Sequence, residues 1–297
     1  MHILVTGVNG LLGQNIVTEF AVDHKISGMD MTPWIRPDYP GIRLVQLDLT
    51  RLSELRDNMK VLGPEAVIHT AAYTAVDKAE VEPDLAFSIN MSVPAELAII
   101  CNEMDIPLVH ISTDYVFNGK SGPYRESDSC DPQGIYAESK YAGEQAVLKH
   151  GAKVAVIRPN VMYGHGYHLK SSFVEWLIKE LKEGRPVNIV DDQFNNPSYA
   201  RRLASVIRKI IEKEAWGIWH FGSKEVVSRY SFALQVADNF GLPTNLINAI
   251  STGALNQMAP RPMQSGLICE KLQNELGIQI LSIGEELGLL KEEMNVS

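Results

Sequence analysis

The stretch MHILVTGVNGLLG, residues 1–13, decides the fold. Its apolar run His2–Thr6 predicts a buried β-strand, and a helical pattern begins at Leu11. Its three glycines follow a GxxGxxG pattern, in which the first permits a tight turn, the second lets the backbone approach a pyrophosphate, and the third allows close helix–strand packing. Free N–H groups at the start of the helix attract phosphates. The stretch therefore predicts a dinucleotide-binding turn whose residues are Gly7, Asn9, Gly10, Leu11, Leu12 and Gly13.

The first half of the chain continues this alternation of short apolar runs and helical patterns. Further strands are predicted at Lys25–Met29, Arg43–Leu47, Ala66–His69, Pro107–Ser112 and Lys153–Arg158. Helices are predicted at Leu11–Phe20, Leu52–Leu62, Pro83–Met104 and Ile135–Lys149. Continuous apolar strands separated by helices indicate a parallel sheet covered on both faces. The predicted fold class is therefore α/β, with a Rossmann-type doubly wound parallel sheet.

The regular alternation of apolar runs and helical patterns ends around Pro159, which indicates a second, smaller α/β unit that binds substrate. Its predicted elements are helices near Ser172–Glu183, Tyr199–Lys213 and Ser228–Gly241, a strand near Val187–Val190, and an amphipathic tail helix over Ile283–Met294. We expect a dinucleotide-binding domain over residues 1–158 that also receives segments from about 187–221, and a mainly substrate-binding domain over 159–297.

Composition narrows the classes of partner. The chain has 297 residues, with 27 Lys and Arg against 36 Asp and Glu, for a net charge of −9. An acidic balance without a basic block argues against nucleic-acid and membrane-surface partners. Three widely spaced cysteines form neither a disulfide framework nor a zinc spacing, no metal site is predicted, and no leader or membrane-length apolar run is recognised. We expect a cytoplasmic protein.

Charged residues after the second and third strands bear on the cofactor. Asp30 ends the second strand, and a carboxylate there can accept both hydroxyls of an adenosine ribose, which slightly favours NADH over NADPH. Arg36 could instead neutralise a 2′-phosphate, so both cofactors stay open. Asp48 could approach the adenine or cap the helix that begins at Leu52.

A tyrosine and a lysine are the candidate chemical groups. Tyr136 and Lys140 are four residues apart in a helical segment, so their side chains share one helix face. A nearby ammonium favours the phenolate and is expected to lower the tyrosine pKa from about 10 toward neutrality. Such a tyrosine can protonate a carbonyl oxygen as hydride reaches its carbon. Thr113, at the end of the fifth strand where this fold has its ligand crevice, can hydrogen-bond the same oxygen.

Further motifs extend this pattern over nearly the whole chain. They are AAYTAVDKAE at 71–80, STDYVF at 112–117, YAESK at 136–140 continuing into AGE at 142–144, DQ at 192–193 with Pro197, and RPMQS at 261–265. With these motifs the sequence resembles the extended short-chain dehydrogenase/reductase family and, within it, the dTDP-4-dehydrorhamnose reductases.

The resemblance implies a role for each matching residue. Cofactor contacts would come from the glycine turn and from Asp48, Leu49, Ala71, Ala72 and Tyr73. Substrate contacts would come from Thr74, Val76, Asp114, Val161 and Arg261. The catalytic group would be Thr113, Tyr136 and Lys140, with Tyr136 and Lys140 also touching the cofactor. The implied reaction passes hydride from NADPH or NADH to C4 of a nucleotide-linked 4-keto-6-deoxy sugar, converting dTDP-4-dehydrorhamnose to dTDP-L-rhamnose.

Departures from the family pattern leave alternatives open. The family has a tryptophan on the substrate side where this chain has Val161, and its Asp-Gln-x-Gly-x-Pro-Thr motif is altered at residues 192–198. A nucleotide-sugar dehydratase would need a second acid after Asp114, but Tyr115 follows. A 4-epimerase and a non-catalytic NAD(P)-binding regulatory subunit stay open. The glutamates of the tail indicate a solvated helix face, although some relatives form magnesium-bridged dimers, so a homodimer is also left open.

Overall fold

The computed structural model describes residues 1–169 and 172–296. The strands are β1 His2–Thr6, β2 Lys25–Asp30, β3 Arg43–Gln46, β4 Ala66–His69, β5 Leu108–Ile111, β6 Val154–Pro159, β7 Met162–Tyr163, β8 Val187–Val190, β9 Phe194–Asn195, β10 Ser198–Tyr199, β11 Gly217–Phe221, β12 Val227–Ser228 and β13 Ile247–Ile250. The helices are α1 Leu11–Phe20, α2 Leu52–Leu62, α3 Val76–Ala79, α4 Pro83–Phe87, α5 Val93–Glu103, α6 Ile135–His150, α7 Phe173–Lys182, α8 Ala200–Glu212, α9 Arg229–Phe240, α10 Glu270–Leu276 and α11 Ile283–Val296.

Seven parallel strands form the main sheet, in the order β11-β6-β5-β4-β1-β2-β3. The order reverses next to β1, which places a ligand crevice at the carboxyl ends of β1 and β4. The predicted α/β doubly wound sheet is therefore confirmed. The edge strand β11 was not predicted, because its sequence GIWHF is short, begins with glycine and carries a histidine among its apolar residues.

Two apolar layers cover the sheet. One face packs against α1 and α8, with Ile16 and Ile207 fully buried between them. The opposite face packs against α2, α5 and α6, through residues such as Leu55 and Leu97. Because α8 and β11 complete the first layer, segments far along the chain contribute to the core around the main sheet. The predicted domain limits themselves stay a prediction.

A third core lies in the second half of the chain. It brings together α7, β8, α9, β13 and α11, and the buried residues Ile283, Leu287 and Leu290 hold the tail helix in place. The predicted cap of α9 is confirmed, since the Ser228 hydroxyl accepts a hydrogen bond from Ser231 N at 3.0 Å. This unit packs beyond the carboxyl edge of the main sheet, where β7 and β10 pair in parallel.

The predicted helix Pro83–Met104 is interrupted, and that prediction is corrected. A π-helical turn, Ser88–Ser92, separates α4 from α5. Pro94 has no N–H to give to the carbonyl of Asn90, four residues earlier, so the regular ladder cannot continue there. The run Pro83–Glu103 is long and apolar enough to cross a membrane by length and composition, with a mean hydropathy of 1.3. Here it packs as a core helix against α2 and α6.

Candidate dinucleotide cleft and active site

A cleft of about 460 Å³ opens at the carboxyl edge of the sheet, between the glycine turn and the ends of β2, β3 and β4. Ten predicted residues line it: Gly7, Gly10, Leu11, Leu12, Asp30, Asp48, Leu49, Ala71, Ala72 and Thr74. Sequence reasoning assigned Thr74 to the substrate, whereas the structure places it with the nine cofactor candidates. The lining residues that sequence reasoning missed are Met31, Leu47, Thr50, Thr70, Ile89, Ile111 and Met162. Met31, Leu47, Thr50, Thr70 and Met162 directly adjoin a predicted residue, and Ile111 is two residues before Thr113. Ile89 comes from a distant element that no local pattern indicates.

The glycine turn has the geometry that a pyrophosphate needs. Gly7 has φ +68°, a left-handed conformation that favours glycine, and a Cβ on it would lie 2.7 Å from Ala71 N. A Cβ on Gly13 would lie 2.3 Å from the Gly7 carbonyl oxygen, so helix α1 can approach the turn only with glycine there. No side chain caps the start of α1 at Gly10. The first N–H groups of the helix are therefore available to an anion, and the residues present fit a dinucleotide.

Asp30 organises the loop beside this turn. Its Oδ2 accepts a hydrogen bond from Asn9 N at 3.0 Å, and its Oδ1 accepts from Thr32 N and Oγ1 at 3.1 and 3.0 Å. The Asn9 amide in turn donates to Thr32 and to the Pro33 carbonyl. Asn9 therefore shapes the turn with its side chain bound to the loop, while Asp30 remains on the cleft wall.

Arg36 is directed away from the dinucleotide cleft. It pairs with Asp38, donates to Thr18 Oγ1 at 2.7 Å, and its guanidinium lies over the rings of Tyr39 and Tyr167 at 4.7 and 5.7 Å. It lines a separate cleft near α1 and α8. The alternative in which Arg36 neutralises a 2′-phosphate therefore has no support from its position.

Asp48 lies on the cleft wall and does not cap α2. Its Oδ1 accepts hydrogen bonds from Thr50 N at 3.0 Å and Thr50 Oγ1 at 2.7 Å, and these bonds lower the pKa of the carboxyl. The residue before α2 is Arg51, which makes no capping bond through its side chain. The capping alternative for Asp48 is therefore wrong.

Tyr136, Lys140 and Thr113 come together beside the cleft, on α6 and at the end of β5. A side-chain hydrogen bond joins Tyr136 to Thr113. Lys140 is 2% exposed, and its Nζ donates to the backbone oxygen of Ile111 at 2.6 Å. Ile111 also lines the cleft. The chemical group and the cofactor cleft therefore share a residue, although the three predicted catalytic side chains lie outside the cleft lining itself.

The predicted lowering of the Tyr136 pKa is wrong in this structure. Burial raises the pKa of Tyr136, because the charged phenolate is disfavoured away from water, and the nearby Asp114 carboxyl raises it further. One N–H of the Lys140 ammonium donates to the Ile111 carbonyl. Burial lowers the pKa of Lys140 to about 8, against the opposing influence of Glu144. Tyr136 therefore holds its proton at neutral pH, as a proton donor must.

Asp114 is a buried carboxyl at the same strand end. It is 3% exposed, Thr113 Oγ1 donates to its Oδ1 at 3.3 Å, and its Oδ2 has no hydrogen-bond partner among the described residues. Burial raises the pKa of Asp114 to about 6. Tyr115 packs edge-on against Tyr136 with ring centroids 5.5 Å apart. An aromatic ring thus occupies the place where a second acid would follow Asp114.

The other predicted residues on the substrate side belong to elements around this group. Arg261 forms an ion pair with Asp77 at 2.8 Å and is 9% exposed at its side chain. Val76 begins the short helix α3, and Val161 directly precedes β7, whose Met162 reaches the cleft. Helix α3 packs against α6, and Arg261 lines a small cleft together with Tyr115, the ring that packs on Tyr136.

The backbone of Tyr73 is fixed by a buried amide that sequence reasoning missed. Asn90 Oδ1 accepts from Tyr73 N at 2.9 Å, and Asn90 Nδ2 donates to the Tyr73 carbonyl at 3.1 Å and to Ser139 Oγ on α6 at 3.0 Å. A Cβ on Gly143 would lie 1.9 Å from the Asn90 carbonyl oxygen. The π-helical turn therefore joins α6 to the cleft wall, and the only sequence signal was Pro94 within an apolar helix.

The start of α6 is held by a second missed residue. Glu80 Oε1 accepts a hydrogen bond from Ile135 N at 2.9 Å, directly before Tyr136. A carboxylate at the first turn satisfies a free N–H group and favours the positive end of the helix. Glu80 belongs to the 71–80 motif, but its role follows only from the three-dimensional structure.

Comparisons with known proteins agree on one family. The model described as "RmlD substrate binding domain" matches residues 1–295. A probable low-salt glycan biosynthesis reductase of Haloferax volcanii is 32% identical over 98% of this chain and 97% of its own length. The dTDP-4-dehydrorhamnose reductase of Aggregatibacter actinomycetemcomitans is 32% identical, covering 94% of both chains. Methionine adenosyltransferase 2 subunit beta of Xenopus laevis is 32% identical over 93% of this chain and 82% of its own.

Solved structures are similar over almost the whole chain. A dTDP-4-dehydrorhamnose reductase from Clostridium acetobutylicum has a TM-score of 0.88 and 30% identity, covering 99% of this chain and 100% of that one. A dTDP-4-dehydrorhamnose reductase from Bacillus anthracis, solved in complex with NADP, has a TM-score of 0.86 and 31% identity, with coverage of 98% and 99%.

Proposed function

This chain belongs to the RmlD substrate-binding family of extended short-chain dehydrogenases/reductases, and from this membership we propose that it is an NAD(P)H-dependent reductase of a nucleotide-linked 4-keto-6-deoxy sugar. The proposed reaction converts dTDP-4-dehydrorhamnose to dTDP-L-rhamnose, as the names of its reductase relatives suggest. The observation that carries the proposal is Ile111, which lines the dinucleotide cleft and accepts the hydrogen bond of Lys140.

The residues of the chain have separate tasks in this reaction. When bound, the reduced nicotinamide supplies the hydride to C4 of the sugar. Tyr136 donates a proton to the C4 oxygen, since its raised pKa keeps the phenol protonated until the oxygen gains negative charge. Thr113 orients the phenol through their hydrogen bond, and its hydroxyl would turn from Asp114, to which it donates here, to donate to the same oxygen. Lys140 places a positive charge beside the phenol on the same helix face, which stabilises the phenolate that forms.

The glycine turn and the start of α1 hold the dinucleotide. Gly7 and Gly13 allow the backbone to come close, and the uncapped N–H groups of α1 donate to the pyrophosphate. Asp48 and Leu49 would border the adenine, and Ala71 and Ala72 would line the same cleft around the dinucleotide. Asp30 lies on the cleft wall and supports the ribose. The relative from Bacillus anthracis was solved with NADP, which gives no support to a preference for NADH, so that preference stays a prediction about Asp30.

Two other functions are weighed against this proposal. A dehydratase is disfavoured because Tyr115, and not an acid, follows Asp114 and packs against Tyr136. A regulatory subunit is supported by the relatives named methionine adenosyltransferase 2 subunit beta. The buried Lys140 and the Tyr136–Thr113 hydrogen bond favour an enzyme, because a binding module gains nothing from the cost of burying an ammonium. A homodimer and a cytoplasmic location stay predictions.

The proposal is tested by following NADH and NADPH oxidation at 340 nm in the presence of enzymatically prepared dTDP-4-keto-6-deoxyhexose. Substrate-dependent oxidation with formation of a dTDP-6-deoxyhexose supports the reductase. Tight binding of the dinucleotide with no oxidation, on a panel of nucleotide 4-keto sugars, supports the regulatory subunit instead. The wavelength is that of the nicotinamide chromophore, about 340 nm, and depends on the cofactor alone.

A further inference from the structure

Helix α6 carries an ionisable side chain, one turn beyond Lys140, that the proposed reaction does not use. Glu144 is 0% exposed at its side chain. Its Oε2 accepts hydrogen bonds from Ser112 Oγ at 2.8 Å and Arg158 Nε at 3.0 Å, and Arg158 Nη2 contacts the other oxygen. Arg158 is 2% exposed. Because both charges lose their hydration, such a pair often adds no net stability.

The pair ties α6 to the strand end that carries Thr113. Two successive turns of the helix are joined to two successive residues of the chain, since Lys140 donates to the Ile111 carbonyl and Glu144 accepts from Ser112. Thr113 follows directly. The distance between Thr113 and α6 is therefore fixed by bonds on the neighbouring residues, and this distance determines whether Thr113 can hydrogen-bond Tyr136.

The same carboxylate acts on Lys140 through its charge. Residues four apart on a helix are neighbours, and Glu144 raises the pKa of Lys140 against the effect of burial. The other titratable groups near Lys140 are His69 on β4 and His110 on β5, which stack with ring centroids 5.4 Å apart. Burial lowers the pKa of His69 to about 3 and that of His110 well below its usual value, so both rings are neutral.

Three further titratable side chains surround the Glu144–Arg158 ion pair. Arg158 contacts Cys130 Sγ at 3.3 Å and His220 Nε2 at 3.3 Å, and Tyr141 lies near both Cys130 and Glu144. Burial raises the pKa of Cys130 and lowers that of His220 to about 3, so the thiol and the imidazole are neutral. Glu144 is therefore the anionic group that acts on Lys140 among the described residues.

We propose that Glu144, held by Arg158, is a positioning residue of the active site, which fixes α6 against the end of β5 and supplies the negative charge that supports the Lys140 ammonium. The catalytic use of the Lys140 ammonium rests on the proposed function. The effect of Glu144 on α6 and on Lys140 does not depend on it. Without Glu144, Lys140 would lose its proton at a lower pH, and the ammonium beside Tyr136 would be lost within the working range.

The direct test is the titration of Lys140 in protein labelled with [ε-13C]lysine, with the signal assigned through Lys140→Arg. In the wild type we expect a midpoint near pH 8. In Glu144→Gln we expect a midpoint lower by about one pH unit or more, the usual effect of an opposite charge at this range. An Arg158 left unpaired in the core can unfold the protein. The double variant Glu144→Gln/Arg158→Met, which removes both charges, is therefore measured as well. We again expect a lowered midpoint for Lys140.

A control and a second readout complete the experiment. Glu96→Gln breaks the Arg56–Glu96 pair, 2.8 Å, between α2 and α5, and should leave the Lys140 midpoint unchanged. The dissociation constants of NADH and NADPH, measured across pH 6–10 by cofactor fluorescence at about 0.5-unit steps, should weaken at a lower pH in the Glu144 variants. A folded Glu144 variant with the wild-type Lys140 midpoint overturns the proposal. A shifted midpoint in a protein that binds neither dinucleotide upholds it and overturns the proposed function.

Discussion

Lys140 Nζ donates a hydrogen bond to the backbone oxygen of Ile111 at 2.6 Å, and Ile111 lines the dinucleotide cleft. This single contact joins the helix that carries the chemical groups to the strand end that forms the cofactor site. Because Thr113 follows two residues later and bonds Tyr136, movement of α6 would change the cleft and the proton donor together.

Tyr136→Phe is expected to lower turnover by about a hundredfold or more, the usual cost of losing a general acid. Dissociation constants for NADH and NADPH should change by less than about twofold, since the ring remains and only its hydroxyl is lost. Steady-state kinetics and cofactor fluorescence measure the two effects. Tyr230→Phe, in the separate core of the second half, is the control and should retain wild-type turnover. Wild-type turnover in Tyr136→Phe would show that another group donates the proton.

Turnover and cofactor affinity are expected to decline as the pH rises past about 8, the pKa to which burial lowers Lys140. Lysine is charged below its pKa and neutral above it, so the loss lies on the alkaline side. Lys140→Arg keeps its charge throughout, because arginine has a pKa above about 12, and should abolish this limb while lowering the maximum. The pH dependence of kcat/KM, measured for both proteins over the alkaline range, shows whether Lys140 causes the decline. If kcat/KM of Lys140→Arg still declines at alkaline pH as in the wild type, another group causes the decline.

Asp30→Asn is expected to shift the ratio of kcat/KM for NADPH over NADH upward by about tenfold, or about 1.4 kcal/mol. The substitution removes the negative charge on the cleft wall that repels a 2′-phosphate, while the amide oxygen can still accept from Asn9 N. Asp38→Asn, whose carboxyl pairs with Arg36 outside the cleft, is the matched control. An equal ratio in wild type and Asp30→Asn would remove Asp30 from cofactor selection.

Glu286 makes stability depend on pH. Burial raises its pKa to about 8, against about 4.3 in an unfolded chain, so the folded state holds a proton that the unfolded state releases between these values. Stability should therefore fall by about 3 to 4 kcal/mol as the pH rises from 5 to 8. Glu286→Gln can keep the hydrogen bond from Tyr163, 3.0 Å long, and should flatten this slope in urea unfolding.

Glu285→Gln is the neighbouring control for this measurement. Glu285 is exposed and accepts from Ser282, so its neutralisation should leave the pH slope of the wild type intact. If Glu286→Gln and Glu285→Gln show the same slope as the wild type, Glu286 is not the titrating group.

Local patterns were sufficient to predict the nucleotide-binding half. The glycine turn and its flanking strand and helix are encoded within the first twenty residues, and the parallel, doubly wound sheet follows from apolar runs that alternate with helices. Asp48, Leu49, Ala71 and Ala72 line the cleft because they follow β3 and β4 closely, and their contacts with a cofactor stay a prediction.

Long-range contacts account for what local patterns could not predict. Asn90 meets Tyr73 and Ser139 only because a π-helical turn brings it against α6, and β11 joins the sheet after 57 intervening residues that follow β6. The direction of the Tyr136 pKa shift depends on burial, which residue spacing does not reveal. The same limit concealed Glu144, whose partner Arg158 is on another element.

The central claim is that Tyr136, Thr113 and Lys140 reduce a keto group with hydride from a dinucleotide held in the adjoining cleft. The most direct measurement is oxidation of NADH or NADPH by the purified protein with dTDP-4-keto-6-deoxyhexose, followed by identification of the sugar product. We expect one reduced sugar nucleotide per dinucleotide oxidised, and loss of this activity in Tyr136→Phe. Binding of the dinucleotide without oxidation, on this substrate and on other nucleotide 4-keto sugars, would contradict the account.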